Sequence, residues 1–209
     1  EQLALAADHC THAAEAAWDG AWYRRGYYDD GRPLGSEACG ECRIDAIAQA
    51  FAALDTHADR GRVHTALTSA VEQLFDREHN VVRLFDPPIT RRTPETGYVR
   101  SYGAGLRENG GQYTHGALWL AMALLRTGRT AEGAEILHAV LPAAHDPARY
   151  EGEPYVLAAD IAGGDNAGVA GWTWYTGAAG WYLRIAAEDL LVLHLRGGVL
   201  YPEPHLPAG

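Results

Sequence analysis

Apolar positions recur at helical spacing through most of this chain. Leu3 to Trp18 carries a stripe of small residues, Leu3, Ala6, Ala7, Cys10, Ala13, Ala14 and Ala17, which predicts a helix packed closely on a neighbour. Arg43 to Leu54 predicts a second helix with Ile44, Ile47, Ala48 and Phe51 inward. Arg62 to Phe75 predicts a third with Val63, Leu67, Ala70, Val71 and Leu74 inward. Gln112 to Arg126 and Ala131 to Val140, separated by a turn at Gly128, predict a helical hairpin. A last helix, largely apolar through Leu183, Ile185, Ala186, Leu190 and Leu191, is expected to run to about Leu193, before a turn at Gly197-Gly198 and an extended, Pro-rich tail. Strand candidates are short, Val81 to Phe85 being one.

Long polar or aromatic loops separate these helices, at Asp19 to Cys42, around Arg91, Arg92 and Pro94, and from Glu153 to Gly177. Long structured loops inside a compact domain usually carry function. The pattern predicts an all-α architecture with loops gathered around a site. Helix pairs could build a solenoid, a bundle or an α/α toroid, and the loops favour the toroid, because solenoid repeats keep their connections short and self-similar. Gln112 to Leu141 has no second copy at a fixed period.

Arg107 to Trp119 joins a polar loop to an apolar helix. Arg107, Glu108, Asn109, Gln112 and His115 crowd a glycine pair and the first turn of a helix whose apolar face runs through Leu118, Met122 and Leu125. Helix N-termini offer unpaired N–H groups and a positive dipole end, so a glycine-rich approach followed by Thr114 and His115 suits an anion or a polyhydroxy ligand. An ordinary helix cap with a buried, hydrogen-bonded histidine is the alternative, against which the density of polar groups weighs.

Composition narrows the partners. The formal net charge is −10, which argues against nucleic acid, since phosphate-backbone binding needs a basic face. No apolar run is long enough to span a bilayer, and Glu1-Gln2-Leu3 lacks the form of a signal peptide, so direct membrane insertion is not expected. Three cysteines, Cys10, Cys39 and Cys42, do not suggest a secreted disulfide framework, and a reducing cytoplasm is the expected setting. Cys39-Gly-Glu-Cys42 has the spacing of half a zinc site, but no second cysteine pair completes a tetrahedron, and His9, Cys10 and His12 point in different directions on a helix; no metal is expected.

Several segments together resemble the glycoside phosphorylases related to cellobiose phosphorylase (glycoside hydrolase family 94), and most of all the phosphorylase-type region at the C-terminus of cyclic β-1,2-glucan synthases. They are Tyr28 to Ser36, Glu41 to Gln49, Arg107 to Trp119, Glu153-Pro154-Tyr155-Val156 with Ala158-Ala159-Asp160, and Gly171 to Gly177 through Gly180-Trp181. The resemblance implies an (α/α)6 barrel holding a β-linked glucan, with inorganic phosphate as co-substrate and no other cofactor. Phosphate attacks the anomeric carbon with inversion and releases α-glucose 1-phosphate. By the same resemblance His115, Thr176 and Gly177 form the phosphate cradle, while Tyr102, Arg107, Glu108 and Gln112 stand where the family contacts sugar. Plain packing is the alternative for Tyr102, Trp172 and Trp174. The family's general acid is an aspartate in a Trp-Asn-Asp type segment that this sequence does not contain. Asp29, Asp30, Glu41, Asp45 and Glu108 are the carboxylates left for that role, with cap or surface positions expected for most. Residues 1–209 are therefore expected to be the C-terminal part, about half, of a catalytic barrel, whose partner is the N-terminal remainder or a second copy. A non-catalytic sugar-binding remnant and a hydrolase using water are the alternatives.

Overall fold

The computed structural model describes residues 12–91, 96–174, 176–204 and 206–207. Helix α1 is described over residues 12–17, where Ala14 and Ala17 pack on the core while Ala13, predicted on the same stripe, is exposed; Leu3, Ala6, Ala7 and Cys10 lie outside the described residues. There follow α2 (Ala46–Leu54), α3 (Arg60–Leu74), α4 (Thr114–Arg126), α5 (Thr130–Ala139), the single turn α6 (Pro147–Tyr150) and α7 (Ala178–Ile185). Short turns join α2 to α3 and α4 to α5, making two helical hairpins that meet through α2 and α4. Three aspartates start helices: the Asp45 carboxylate accepts the Ala48 N–H at 3.0 Å, Asp59 that of Arg62 at 2.8 Å and Asp146 that of Ala148 at 3.0 Å.

Helix α4 is the axis. It is enclosed by α2, α5 and α7, and Leu118, Leu120, Ala121, Ala123 and Leu124 are fully buried. Gly133 lets α5 lie close, since a Cβ there would come within 2.7 Å of Leu125 Cγ. On α3 the predicted inward residues are all buried. On α2 the predicted face is corrected: Ala46, Gln49, Ala50 and Ala53 are buried, while Phe51 is 53% exposed and Ile47 half-buried. The alanines allow close helix contact, while Ile47 packs on the separate cluster of Cys42, Leu84, Phe85 and Ile89 and Phe51 meets Trp119 edge-on at 5.4 Å.

Five antiparallel strand pairs, most only two residues long, anchor the loops among the described residues. Ile44–Asp45 pairs with Phe85–Asp86, so the predicted helix from Arg43 begins only at Ala46; Phe75–Asp76 pairs with Val81–Val82, and Gln112–Tyr113 with Asp160–Ile161. At the C-terminal end the predicted helix to Leu193 stops at Leu190 after a wide turn, and Val192 takes a left-handed φ of 47°. Leu193–Arg196 and Val199–Pro202 then form a hairpin through Gly197-Gly198, both at positive φ, as a tight two-residue turn requires.

One buried amide secures the long loop that follows α1. Gln49, fully buried, accepts the Tyr23 N–H at 2.7 Å and donates to the Tyr23 and Asp45 carbonyls at 2.9 Å each. Gln49→Leu strands the buried Tyr23 N–H and C=O, so it should cost about 3 kcal/mol in denaturant unfolding; a change below about 0.5 kcal/mol would show that this amide does not hold the loop.

Candidate functional site

The site is built on the pairing of Gln112–Tyr113 with Asp160–Ile161, which places the start of α4 beside the loop running from Gly163 to Gly177. Upstream of it, residues 103–111 close into a tight ring. Asn109, fully buried, accepts the Ile89 N–H at 2.7 Å and donates to the Ile89 carbonyl at 2.9 Å and the Tyr102 carbonyl at 2.8 Å. A Cβ at Gly111 would meet the Arg107 and Gly105 carbonyl oxygens at 2.8 Å, so the ring needs glycine there. Held this way, Arg107 adopts φ 50°, a left-handed backbone that a non-glycine residue keeps only when its surroundings impose it.

The Arg107 guanidinium lies between two aromatic faces, 5.2 Å from the Tyr102 ring centroid and 4.8 Å from that of Trp172. Its Nε is 3.6 Å from Glu108 Oε2. Asp160 closes the far side. It is buried, its Oδ1 accepts the Trp172 N–H at 3.1 Å, and burial pushes its carboxyl pKa up against the opposing pull of that N–H and of Arg107, with Glu108 pushing it further up.

Glu108 also borders a cleft of about 360 Å³, with Asp45, Tyr98, Tyr113 and Trp119 among its walls. Across the Tyr113 ring from this cleft lies His115, stacked on it at 5.2 Å with an interplanar angle of 23°. The imidazole is half-buried, its Nδ1 is buried with no hydrogen-bond partner among the described residues, and burial lowers its pKa, so it is neutral at pH 7. A Cβ on Gly177 would stand 3.1 Å from His115 Nε2. The segment carrying the predicted Thr176 and Gly177 therefore lies directly against the predicted histidine. Thr176 Oγ1 accepts the Ala178 N–H at 3.0 Å at the head of α7, which leaves its hydrogen to donate.

Of the predicted residues, the structure brings His115 and Gly177 together, with Thr176 next in sequence, and gathers Tyr102, Arg107 and Glu108 into a second group. Gln112 is placed elsewhere. It is fully buried, accepts the Val82 N–H at 2.8 Å and donates to Thr114 Oγ1 at 3.4 Å, so its side chain is committed to the frame. Among the carboxylates considered as acids, Asp45 caps α2, Asp30 pairs with Arg32 at 2.7 Å, and Glu41 accepts the Thr90 N–H at 2.9 Å and the Arg91 N–H at 3.1 Å. Trp172, for which packing was the alternative, stands in the site, and Asp160 and Tyr113 join it without a role having been assigned to them from sequence. On its rim Trp174 donates to Glu153 at 2.9 Å and meets Tyr155 edge-on at 6.1 Å, both rings being largely exposed. Cys39 and Cys42 are free thiols, and the described residues contain no group of three or more His, Cys, Asp or Glu able to hold a metal; His9 and Cys10 lie outside them.

A helical frame presenting carboxylates, two arginines, Arg25 and Arg107, and exposed aromatic rings is a form suited to carbohydrate. The family model described as "Glycosyl hydrolase 94 superfamily, catalytic domain" matches residues 2–192, and the chain belongs to that family. It is 46% identical over 93% of its length to the cyclic beta-(1,2)-glucan synthase NdvB of Rhizobium meliloti, of which it covers 7%. It is 32% identical over 83% of its length to the solabiose phosphorylase of Paenibacillus borealis, covering 23% of that protein. With the 3-O-beta-D-glucopyranosyl-beta-D-glucuronide phosphorylase of the same organism it shares 29% identity over its whole length and 27% of the relative. The chain thus spans about a quarter or less of the curated relatives it matches. Among the described residues no helix is long and apolar enough to cross a membrane.

The lowered His115 pKa has a thermodynamic consequence. The unfolded chain takes up a proton near pH 6.5 while the folded chain resists it, so this group's contribution to stability is present above that pH and is lost as pH falls toward the folded value. The stability difference between wild type and His115→Gln should therefore change between about pH 8 and pH 5, wild type losing more on acidification. Parallel denaturation profiles across that range would contradict a buried, neutral His115.

Proposed function

We propose that this chain supplies the phosphate and sugar cradle of an inverting glycoside phosphorylase that cleaves β-linked glucans, β-1,2-glucan foremost, to α-glucose 1-phosphate. The observation that carries the reading is the placement of the Thr176-Gly177 segment against His115 Nε2, with Nδ1 unpartnered among the described residues. Backbone N–H groups, a hydroxyl and an imidazole can hold an oxyanion without a permanent buried positive charge. In the reaction a phosphate oxygen bonds to the anomeric carbon as the glycosidic C–O bond breaks on the opposite face, and a general acid gives its proton to the leaving oxygen. Phosphate is itself the nucleophile, so the water-activating carboxylate of an inverting hydrolase has no counterpart here.

Within this reading Arg107, Glu108 and Tyr102 contact sugar, and Gln112 supports them from the frame. The α2–α3 and α4–α5 hairpins are consecutive members of an (α/α)6 toroid, with residues 1–209 forming part of that catalytic barrel. The general acid is assigned to residues outside this sequence, on the N-terminal remainder of the barrel, because the Trp-Asn-Asp type segment that carries it in the family is not in this sequence; Asp45, Asp30 and Glu41 are moreover engaged as caps and pairs. β-1,2 specificity rests on the likeness to the glucan synthase of Rhizobium meliloti, and a cytoplasmic setting on the free thiols Cys39 and Cys42.

The test is release of α-glucose 1-phosphate from β-1,2-gluco-oligosaccharides by the polypeptide that carries this chain, with and without inorganic phosphate. Release should require phosphate and fall by about a hundred-fold or more in His115→Ala, the size expected for losing one preorganised donor to an anion. Release of glucose at equal rates without phosphate would replace this reading with hydrolysis.

A further inference from the structure

Asp160 is a buried carboxylate that none of the helical framework requires. It caps no helix, and its backbone pairs with Tyr113 and with Gly171 whatever its side chain. Its Oδ1 instead accepts the Trp172 N–H at 3.1 Å. The fit is tight enough to dictate the preceding residue: a Cβ at Gly171 would fall on the Asp160 carboxylate. The Ala159 N–H donates to the Trp172 carbonyl at 2.6 Å, so Trp172 is gripped at both backbone polar groups by two consecutive residues. Its ring, 56% exposed, is one of the two faces enclosing Arg107.

We infer that Asp160 is the positioning residue of this site: by fixing the Trp172 backbone it sets the indole against Arg107 and so aims the guanidinium at the ligand. This rests on the proposed sugar-binding role of Arg107 but adds a device that role does not require. An arginine side chain has many rotamers, and a guanidinium held between two rings and beside Glu108 is pre-organised, so less freedom is lost when ligand binds. The arrangement separates two properties of Asp160. Its oxygen as acceptor places Trp172, whereas its charge is secondary, so asparagine should serve and alanine should not.

The experiment uses the nitrogen-15-labelled polypeptide that carries this chain and reads two signals without any turnover. In wild type the Trp172 amide should shift as the Asp160 carboxyl titrates in the field of Arg107 and Glu108, and in Asp160→Asn that response should vanish. The Arg107 Nε–H resonance, displaced by the Tyr102 and Trp172 ring currents, should stay displaced in Asp160→Asn and move toward the free-arginine position in Asp160→Ala. Trp172→Ala, which removes an exposed ring and leaves Asp160 intact, should move it in the same direction and covers the case in which Asp160→Ala does not fold. Affinity for a β-1,2-linked glucotriose should fall about ten-fold in Asp160→Ala and Trp172→Ala, with little change in Asp160→Asn. In an Arg107→Ala background Asp160→Ala should add almost nothing.

An Arg107 signal that stays displaced in Asp160→Ala, or that is lost in Asp160→Asn, overturns the inference. If the resonances behave as described but no variant, wild type included, binds glucotriose, the positioning device stands and the sugar-binding reading of Arg107 fails.

Discussion

The antiparallel pairing of Gln112–Tyr113 with Asp160–Ile161 is the interaction on which the rest of the site depends. It is two residues long, and almost nothing near the site is independent of it. On one strand it fixes the start of α4, whose Thr114 N–H donates to the Ala159 carbonyl at 3.0 Å, and with it the direction of His115. On the other it fixes Asp160, hence Trp172 and the path of the chain to Gly177. So short a pair survives because Gln112, Asp160 and Ile161 are buried: Gln112 spends its side chain on the Val82 N–H, and Ile161 packs with Val81, Tyr150 and Ala158 in a small cluster apart from the core around α4.

A second constraint is electrostatic. The chain carries a formal net charge of −10, and the cleft includes Asp45 and Glu108, yet the proposed co-substrate is an anion. The site does not answer with a cluster of cations. His115 is kept neutral by burial, the Thr176-Gly177 turn offers a hydroxyl and backbone, the Arg107 guanidinium lies against two rings beside Glu108, and Arg25, which lines the cleft, stands 3.8 Å from Asp45. Directional donors of this kind favour an oxyanion at one place without lowering the pKa of surrounding carboxyls, which an acid–base reaction needs to keep tuned.

The helices were legible because they are long. On α3 the 3.6-residue period alone identifies the buried face. It misled on α2, where alanine outranks larger residues as a core contact and where Ile47 packs on a second, smaller cluster and Phe51 on the Trp119 ring. The two-residue strands could not be read, since no periodicity exists at that length, and they trimmed the predicted starts at Arg43 and Gln112 to Ala46 and Thr114. The polar cluster from Arg107 to His115 was visible as composition, but not the division of labour within it. Gln112 and Asn109 face the frame, while Arg107, Glu108 and His115 face openings, and only long-range partners such as Val82 and Ile89 decide which is which. Asp160 escaped for the same reason: its partner lies twelve residues away, across a loop.

The central claim is that two separate stretches of sequence, one at the start of α4 and one at the start of α7, make a single anion cradle. Titration of inorganic phosphate into the nitrogen-15-labelled chain tests it directly, read residue by residue in the amide spectrum. The claim predicts that Gly177, Ala178 and the His115 ring shift together, with one dissociation constant, and that chloride at equal ionic strength does not reproduce the change. Shifts confined to exposed arginines such as Arg60 and Arg184, or none at His115 and Gly177 at saturating phosphate, would contradict it.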